Sequence, residues 1–231
     1  MSKHSLSDSD QDHLRAIYLA GGSDRRVSMG AVATSAGHSP ATVTAAAKRL
    51  QAVGLIDYRR YEGVKLTAAG LRIALEVVRH HRLIESYLVE HLGYDWHDVH
   101  EEADRLEHVI SEKLERHIAA RVSDPTTDPH GHSIPNESLD AVAELSEPLT
   151  AAEPGTRVTV ASVSDRDPAL LDYVAGIGLV PGREVEVVDR LPFGGPLVVR
   201  VGSASHHLGR LVTDSVFVTS ARDATDAPAR V

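Results

Sequence analysis

Apart from one short hairpin-like stretch, the apolar periodicity of this chain changes once, and that change limits its fold more than any single motif does. Up to about residue 121, apolar residues recur at three- and four-residue spacing between Gly and Pro stops. From residue 154 to 220 they alternate. The first pattern gives a helix one apolar face, and the second gives a strand one apolar face. A helical portion therefore precedes a β portion. Between them lies "SDPTTDPHGHSIPNESLD", dense in Pro, Ser, Asp and Gly, which reads as a loop.

The N-terminal stretch reads as three helices and a hairpin. Leu14, Ile17 and Tyr18 share a face of a helix from about Asp10 to Ala20, which stops at Gly21-Gly22. "VSMGAVATSAG" predicts a short helix with Ser28 as N-cap and Gly37 as its stop. "HSPATVTAAAKRLQAVGL" predicts another, with Ser39 as N-cap, Pro40 at the first helical position, and Val43, Ala46, Ala47 and Leu50 facing inward. "LIDYRRYEGVKLT" alternates about a turn at Glu62-Gly63. Short helices at a Gly-containing turn followed by a hairpin make a winged helix-turn-helix. Two longer helices follow, from Thr67 to Leu92 and from Asp95 to Ile118. The first has an apolar stripe through Leu71, Leu75, Val78, Leu83, Tyr87 and Leu88 that suits pairing with a second copy. "TRVTVASV", "EVEVVDRL", "PLVVRVG" and "SVFVTS" then read as strands of a small β-barrel, with one helix in "DPALLDYVAGIGLVPG". The fold class is α+β multidomain. The expected divisions are 1–72 (winged helix-turn-helix), 73–140 (helical dimerisation and metal binding), 141–153 (linker), 154–222 (β domain) and 223–231 (disordered tail).

Composition excludes several function classes. The absence of cysteine rules out disulfides, thiolate metal sites and a Cys nucleophile. No apolar run reaches a membrane span and the N-terminus lacks a signal sequence, so a cytoplasmic protein is expected. A net charge of −9 argues against coating nucleic acid, yet the charge is uneven. Basic residues outnumber acidic ones between Arg25 and Arg79, which suggests one module that meets phosphate.

"HEEADRLEH" carries the most specific chemistry. On a continuous helix His100, Asp104, Glu107 and His108 share one face without a Lys or Arg among them, so their charges call for a partner. "RHHRLIESYL" sets His81 and Glu85 one turn apart on the preceding helix. Imidazoles and carboxylates at this spacing suit a divalent metal, whereas a plain solvated face usually intersperses Lys. His80, His91, His97 and His117 read as exposed, His130 and His132 as loop residues, and His206-His207 as a strand turn. For nucleic acid, Ser39, Pro40 and Thr42 open the recognition helix, and Lys48, Arg59, Arg60 and Lys65 can reach phosphates. No Arg, Asn or Gln stands at that helix start, so shape and methyl contacts would carry much of the specificity. A metallohydrolase would need a placed base or nucleophile, which the motifs do not offer, and would leave the winged module unexplained.

The order of these parts resembles the diphtheria toxin repressor family of metal-dependent transcriptional repressors, with "RHHRLIESYL", "VHEEADRLEHVISEKLERHI" and "DPTTDPHGHSIP" as its most specific stretches. The resemblance implies an SH3-like β domain, a homodimer, operator DNA as partner, no enzymatic activity and two metal ions per subunit. It assigns Asp12, Asp104, Glu107 and His108 to a primary site. His81, Glu85 and His100 form an ancillary site, with Asp165 as best match for a fourth ligand and Asp167 as second. Asp12 and Asp104 stand where the iron-sensing branch has Met and Cys. The resemblance is thus to the manganese-responsive branch, with Fe²⁺ as the alternative effector. Short manganese sensors carry an acid where this chain has Arg15, which points to two separate sites in place of a binuclear one.

Overall fold

The computed structural model describes residues 6–140 and 146–220. The expected tail from 223 and the residues 141–145 of the expected linker lie outside them. The described chain forms two compact units. One holds the residues up to His81, Asp104–Arg116 and the stretch from Pro135. The other holds Arg82–Ala103, His117–Ile134 and the C-terminal residues.

In the first unit each early helix begins on a serine. Ser7 caps α1 (Asp8–Leu19), Ser28 caps α2 (Met29–Ala36) and Ser39 caps α3 (Pro40–Ala52), each hydroxyl accepting a main-chain N–H of the first turn. Gly37 ends α2 at φ 63 and turns the chain into α3. Leu14, Ile17, Val32, Val43 and Leu50 bury their side chains together with Leu55, Val64 and Leu66 of the hairpin region. Strands β1 (Ile56–Arg59) and β2 (Gly63–Leu66) pair antiparallel as the wing. Val64 and Val27 exchange main-chain hydrogen bonds at 2.9 Å, docking the wing on the segment before α2. Gly63 permits that approach: its φ is +105, and a Cβ there would lie 2.1 Å from the Val27 carbonyl oxygen.

Helix α4 (Ala68–Leu92) runs as expected, its residues divided between the two units at His81. The predicted helix from Asp95 to Ile118 is instead two: α5 (Val99–Leu106) and α6 (Glu112–Ala119), separated by a turn. Ser111 starts a new helix by accepting the Leu114 N–H on its hydroxyl (3.3 Å) and the Glu115 N–H on its carbonyl (2.9 Å). The Glu107 carbonyl turns to the His80 ring at 3.1 Å. His80, expected to be exposed, is fully buried by this arrangement.

The second unit contains a six-stranded antiparallel sheet: β3 (Glu147–Pro148), β4 (Arg157–Val163), β5 (Glu184–Arg190), β6 (Leu197–Val201), β7 (Ala204–Leu208) and β8 (Val216–Ser220), in the order β3-β8-β4-β5-β6-β7. It is open, with β3 and β7 at its edges, so the expected barrel is barrel-like at most. Helix α7 (Pro168–Gly176) and the short α8 (Arg210–Thr213) accompany it. Val160, Leu171, Val174, Leu179, Val187, Val199 and Val216 form its core. Leu149, in the stretch read as linker, is fully buried in that core, which draws residues 147–151 into the β unit as β3 and a 3₁₀ turn. β7 stands where the sequence predicts a turn, because "ASHHL" buries only Leu208 and so lacks the alternation of a half-buried strand. No helix among the described residues is long and apolar enough to cross a membrane.

Candidate metal centre and nucleic-acid interface

The break after α5 gathers the primary candidates in the first unit. Asp12 projects from α1, and Glu107 and His108 from the turn. Their ligand atoms lie within 4.8 Å of one another. His108 Nε2 is 2.9 Å from Asp12 Oδ1 and 3.3 Å from Glu107 Oε1. Gln11, also on α1 and 2% exposed, faces the other ring nitrogen of His108 at 3.1 Å. Burial opposes a charge on His108, but its hydrogen bond to Asp12 and the charge of Glu107 outweigh burial and raise its pKa above the usual imidazole value.

Asp104 stands on the other side of Glu107, in a second group with His81 and Glu107. Here sequence reasoning missed a residue. The carboxylates were expected to lack a cation, yet Arg15 of α1 reaches across to them. Its Nη1 donates to Asp104 Oδ1 at 2.8 Å and to Glu107 Oε1 and Oε2 at 2.7 and 2.6 Å. Burial works against the guanidinium charge, but Glu107 and Asp104 prevail and hold it above its ordinary range. His81 Nδ1 lies 2.6 Å from Glu107 Oε2 and 3.3 Å from Asp104 Oδ1.

The second unit holds its own cluster. Glu85 is fully buried, His100 Nδ1 lies 3.1 Å from Glu85 Oε1, and Asp165 Oδ2 lies 3.8 Å from His100 Nδ1. Burial raises the Asp165 pKa, but His132, His100 and His130 outweigh burial and Glu85, leaving it below the ordinary value. Asp167, the second match, accepts the Ala169 and Leu170 N–H groups as the N-cap of α7 and is committed there.

His130 and His132, read from sequence as plain loop residues, belong beside this cluster. Asp128 accepts the N–H groups of both at 2.9 and 2.8 Å, and the three offer ligand atoms within 4.8 Å. His130 is fully buried, and its Nδ1 makes no hydrogen bond among the described residues. It points at Glu85 Oε2 from 3.7 Å. Burial opposes its protonation, but Glu85, Asp128 and Asp165 hold its pKa up at about 9. A buried imidazole nitrogen aimed at a carboxylate oxygen is a donor that could hold a divalent cation. The Asp-Pro-His-Gly-His spacing was the available signal. Both clusters combine carboxylate oxygen with imidazole nitrogen and contain no sulfur, a donor set that fits a hard divalent cation.

On the candidate nucleic-acid face, Ser39, Pro40, Thr42 and Lys48 are exposed along α3. The Ser39 hydroxyl is engaged with Thr42 as a cap and lies 2.9 Å from the Thr42 hydroxyl. Arg49 of α3 pairs with Asp10 of α1 at 2.7 Å, linking the recognition helix to the helix that carries Asp12. In the wing, Arg59 pairs with Glu62 and Asp57, and Lys65 is half-buried opposite Asp57. Arg60 lies over the Tyr61 ring at 4.7 Å, and Tyr61, at φ 68, is 90% exposed at the tip.

Three family models match the chain in order. Residues 5–64 match the family described as iron dependent repressor, N-terminal DNA binding domain. Residues 67–136 match iron dependent repressor, metal binding and dimerisation domain, and residues 147–220 match the FeoA domain. The iron-dependent repressor IdeR of Mycobacterium tuberculosis is 31% identical over 211 residues, covering 85% of this chain and 90% of its own. The diphtheria toxin repressor of Corynebacterium diphtheriae is 31% identical over 203 residues, covering 80% and 86%. A solved manganese-dependent transcriptional repressor in complex with manganese has a TM-score of 0.84 at 36% identity, covering 91% of this chain and 99% of that one. ScaR with bound Zn²⁺ has a TM-score of 0.78 at 28% identity, with coverage of 91% and 99%. With its domains matched in order and relatives aligned along most of their length, this chain belongs to the diphtheria toxin repressor family of metal-dependent transcriptional repressors.

Proposed function

We propose that the chain is a manganese(II)-activated repressor that binds operator DNA as a homodimer in the cytoplasm, with two ions per subunit. The observation that carries this reading is the meeting of Asp12 from α1 with Glu107 and His108 from the turn after α5. Asp12, Glu107 and His108, with Asp104 nearby, would hold one ion. Glu85, His100 and Asp165, with His130 added, would hold the other, and His81 precedes Glu85 by one turn on α4. When bound, a divalent ion supplies the positive charge these oxygens require and polarises their hydrogen-bonded surroundings.

Oxygen and imidazole donors without a soft ligand favour Mn²⁺ over selection by sulfur, and the manganese-bound repressor named above supports the same choice. Asp12 completes its site only when α1 stands against the turn after α5. α1 carries α3 with it through their shared core and the Arg49–Asp10 pair. Favouring that arrangement is a population shift toward the DNA-competent form. In a two-fold dimer it sets both recognition helices for successive major grooves. Ser39, Pro40 and Thr42 then meet bases or their phosphates, and Lys48, Arg59, Arg60 and Lys65 meet phosphates.

Fluorescence anisotropy against a palindromic operator duplex tests this, after chelator treatment, with Mn²⁺ or anaerobic Fe²⁺ at matched free concentration. Binding that requires Mn²⁺ and is weakened in Asp12→Ala is expected. Equal binding with and without metal would overturn it. Iron(II) is the second reading, favoured by the iron-dependent relatives; preferential activation by Fe²⁺ would select it.

A further inference from the structure

We propose that Arg15 is a built-in cation that fills the position among His81, Asp104 and Glu107, so that the primary cluster takes one external divalent ion and not an adjacent pair. This rests on the metal-site reading above. His81, Asp104 and Glu107 offer ligand atoms close enough to surround an ion. At their centre lies the Nη1 of Arg15, 2.6 to 2.8 Å from three carboxylate oxygens and 3.3 Å from His81 Nδ1. A nitrogen held by that many converging ligand atoms stands where a second ion would have to stand.

A guanidinium does not give up its proton at any pH a cell reaches, so this cation neither leaves nor titrates. For an ion to enter, Arg15 must swing out, losing charge-assisted hydrogen bonds to Asp104 and to the fully buried Glu107. Charge balance points the same way. Asp12, Asp104 and Glu107 carry three negative charges, which Arg15 and one divalent ion neutralise. A further divalent ion beside Arg15 would leave a positive excess against the fully buried Glu107. Glu107 is shared, since its Oε1 faces both Arg15 and His108.

There is a consequence for activation. Arg15 belongs to α1, so α1 is tied to Asp104 and Glu107 through the protein's own charge. The external ion then adds the Asp12 and His108 contacts to an existing tether and does not create the whole attachment.

The test is manganese stoichiometry by elemental analysis together with electron paramagnetic resonance, on wild type, Arg15→Glu and Arg15→Lys. Wild type and Arg15→Lys should show no exchange-coupled Mn²⁺ pair. Arg15→Glu should gain one ion per subunit and the coupled-pair spectrum. If Arg15→Glu does not fold, Arg15→Gln serves, with the same gain expected at lower affinity. A coupled pair in wild type, or no added ion in the soluble charge-removing variant, would overturn the inference while leaving the metal-site reading intact. Failure of wild type to bind Mn²⁺ at all would instead remove that reading and this inference with it.

Discussion

The Nδ1 of His80 lies 3.1 Å from the main-chain oxygen of Glu107, so a fully buried imidazole on α4 holds the carbonyl at which the following helix breaks. That contact fixes the backbone from which Glu107 and His108 project. Metal ligands depend on such outer partners for orientation, typically by tenfold or more in affinity. His80→Leu should therefore weaken Mn²⁺ binding by about tenfold and cost ~1–3 kcal/mol of stability through the orphaned carbonyl and carboxylate. Isothermal titration and urea unfolding measure the two effects. Unchanged affinity in a folded His80→Leu protein would remove the positioning role.

Glu115 faces the same ring from the other side and receives Arg79 at 2.6 Å. Burial alone would raise its pKa, but the bonds from His80 and Arg79 outweigh it and hold Glu115 at about 2, against an ordinary 4.5. The folded state thus binds this proton less readily than the unfolded one. Its stabilising contribution, about 3 kcal/mol by linkage, is complete above pH 4.5 and disappears as pH falls toward 2. Glu115→Gln should lose stability at pH 7, leaving the buried Arg79 without its charge partner, and the gap to wild type should shrink on acidification. Denaturant unfolding at pH 7 and pH 3 decides; a gap independent of pH would contradict the coupling.

Gly63 gives a purely structural prediction. Alanine there must accept φ +105 and a Cβ 2.1 Å from the Val27 oxygen, so the wing has to lift or the strand bridge break. A loss of more than about 2 kcal/mol is expected. A thermal melt within a degree or two of wild type would show that the wing does not need this approach.

The winged module was legible because its signals are local: Ser39 before Pro40, Gly37 between helices, alternation around Glu62-Gly63. Glu107 and His108 were legible on one helix face, but Asp12 was reachable only through family resemblance, because 95 residues separate it from His108 and no local pattern joins them. What sequence missed was non-local. "RLEHVISEKL" has no Gly or Pro, so nothing marked the break that Ser111 and His80 enforce from opposite sides. His130 sits in a stretch whose composition says loop, although Gly131 packs against the Ala161 carbonyl and buries the segment against β4. Arg15 was visible as a departure from the expected acid, but not as a reach across to Asp104 and Glu107.

The wing separates two neighbouring arginines. Arg59 is already paired with Glu62 and Asp57, so meeting a phosphate would cost it those partners. Arg60 has no ion pair among the described residues and is braced over Tyr61 at the exposed tip. A braced, uncompensated cation releases a full share of counterions on binding DNA, whereas a paired one releases less. Arg60→Ala should therefore weaken operator binding across sequences and lower the salt slope by about one, with Arg59→Ala changing it less. Anisotropy titrations over a range of salt concentrations compare the two slopes. A larger change for Arg59→Ala would reverse the assignment and make Arg60 a brace for Tyr61.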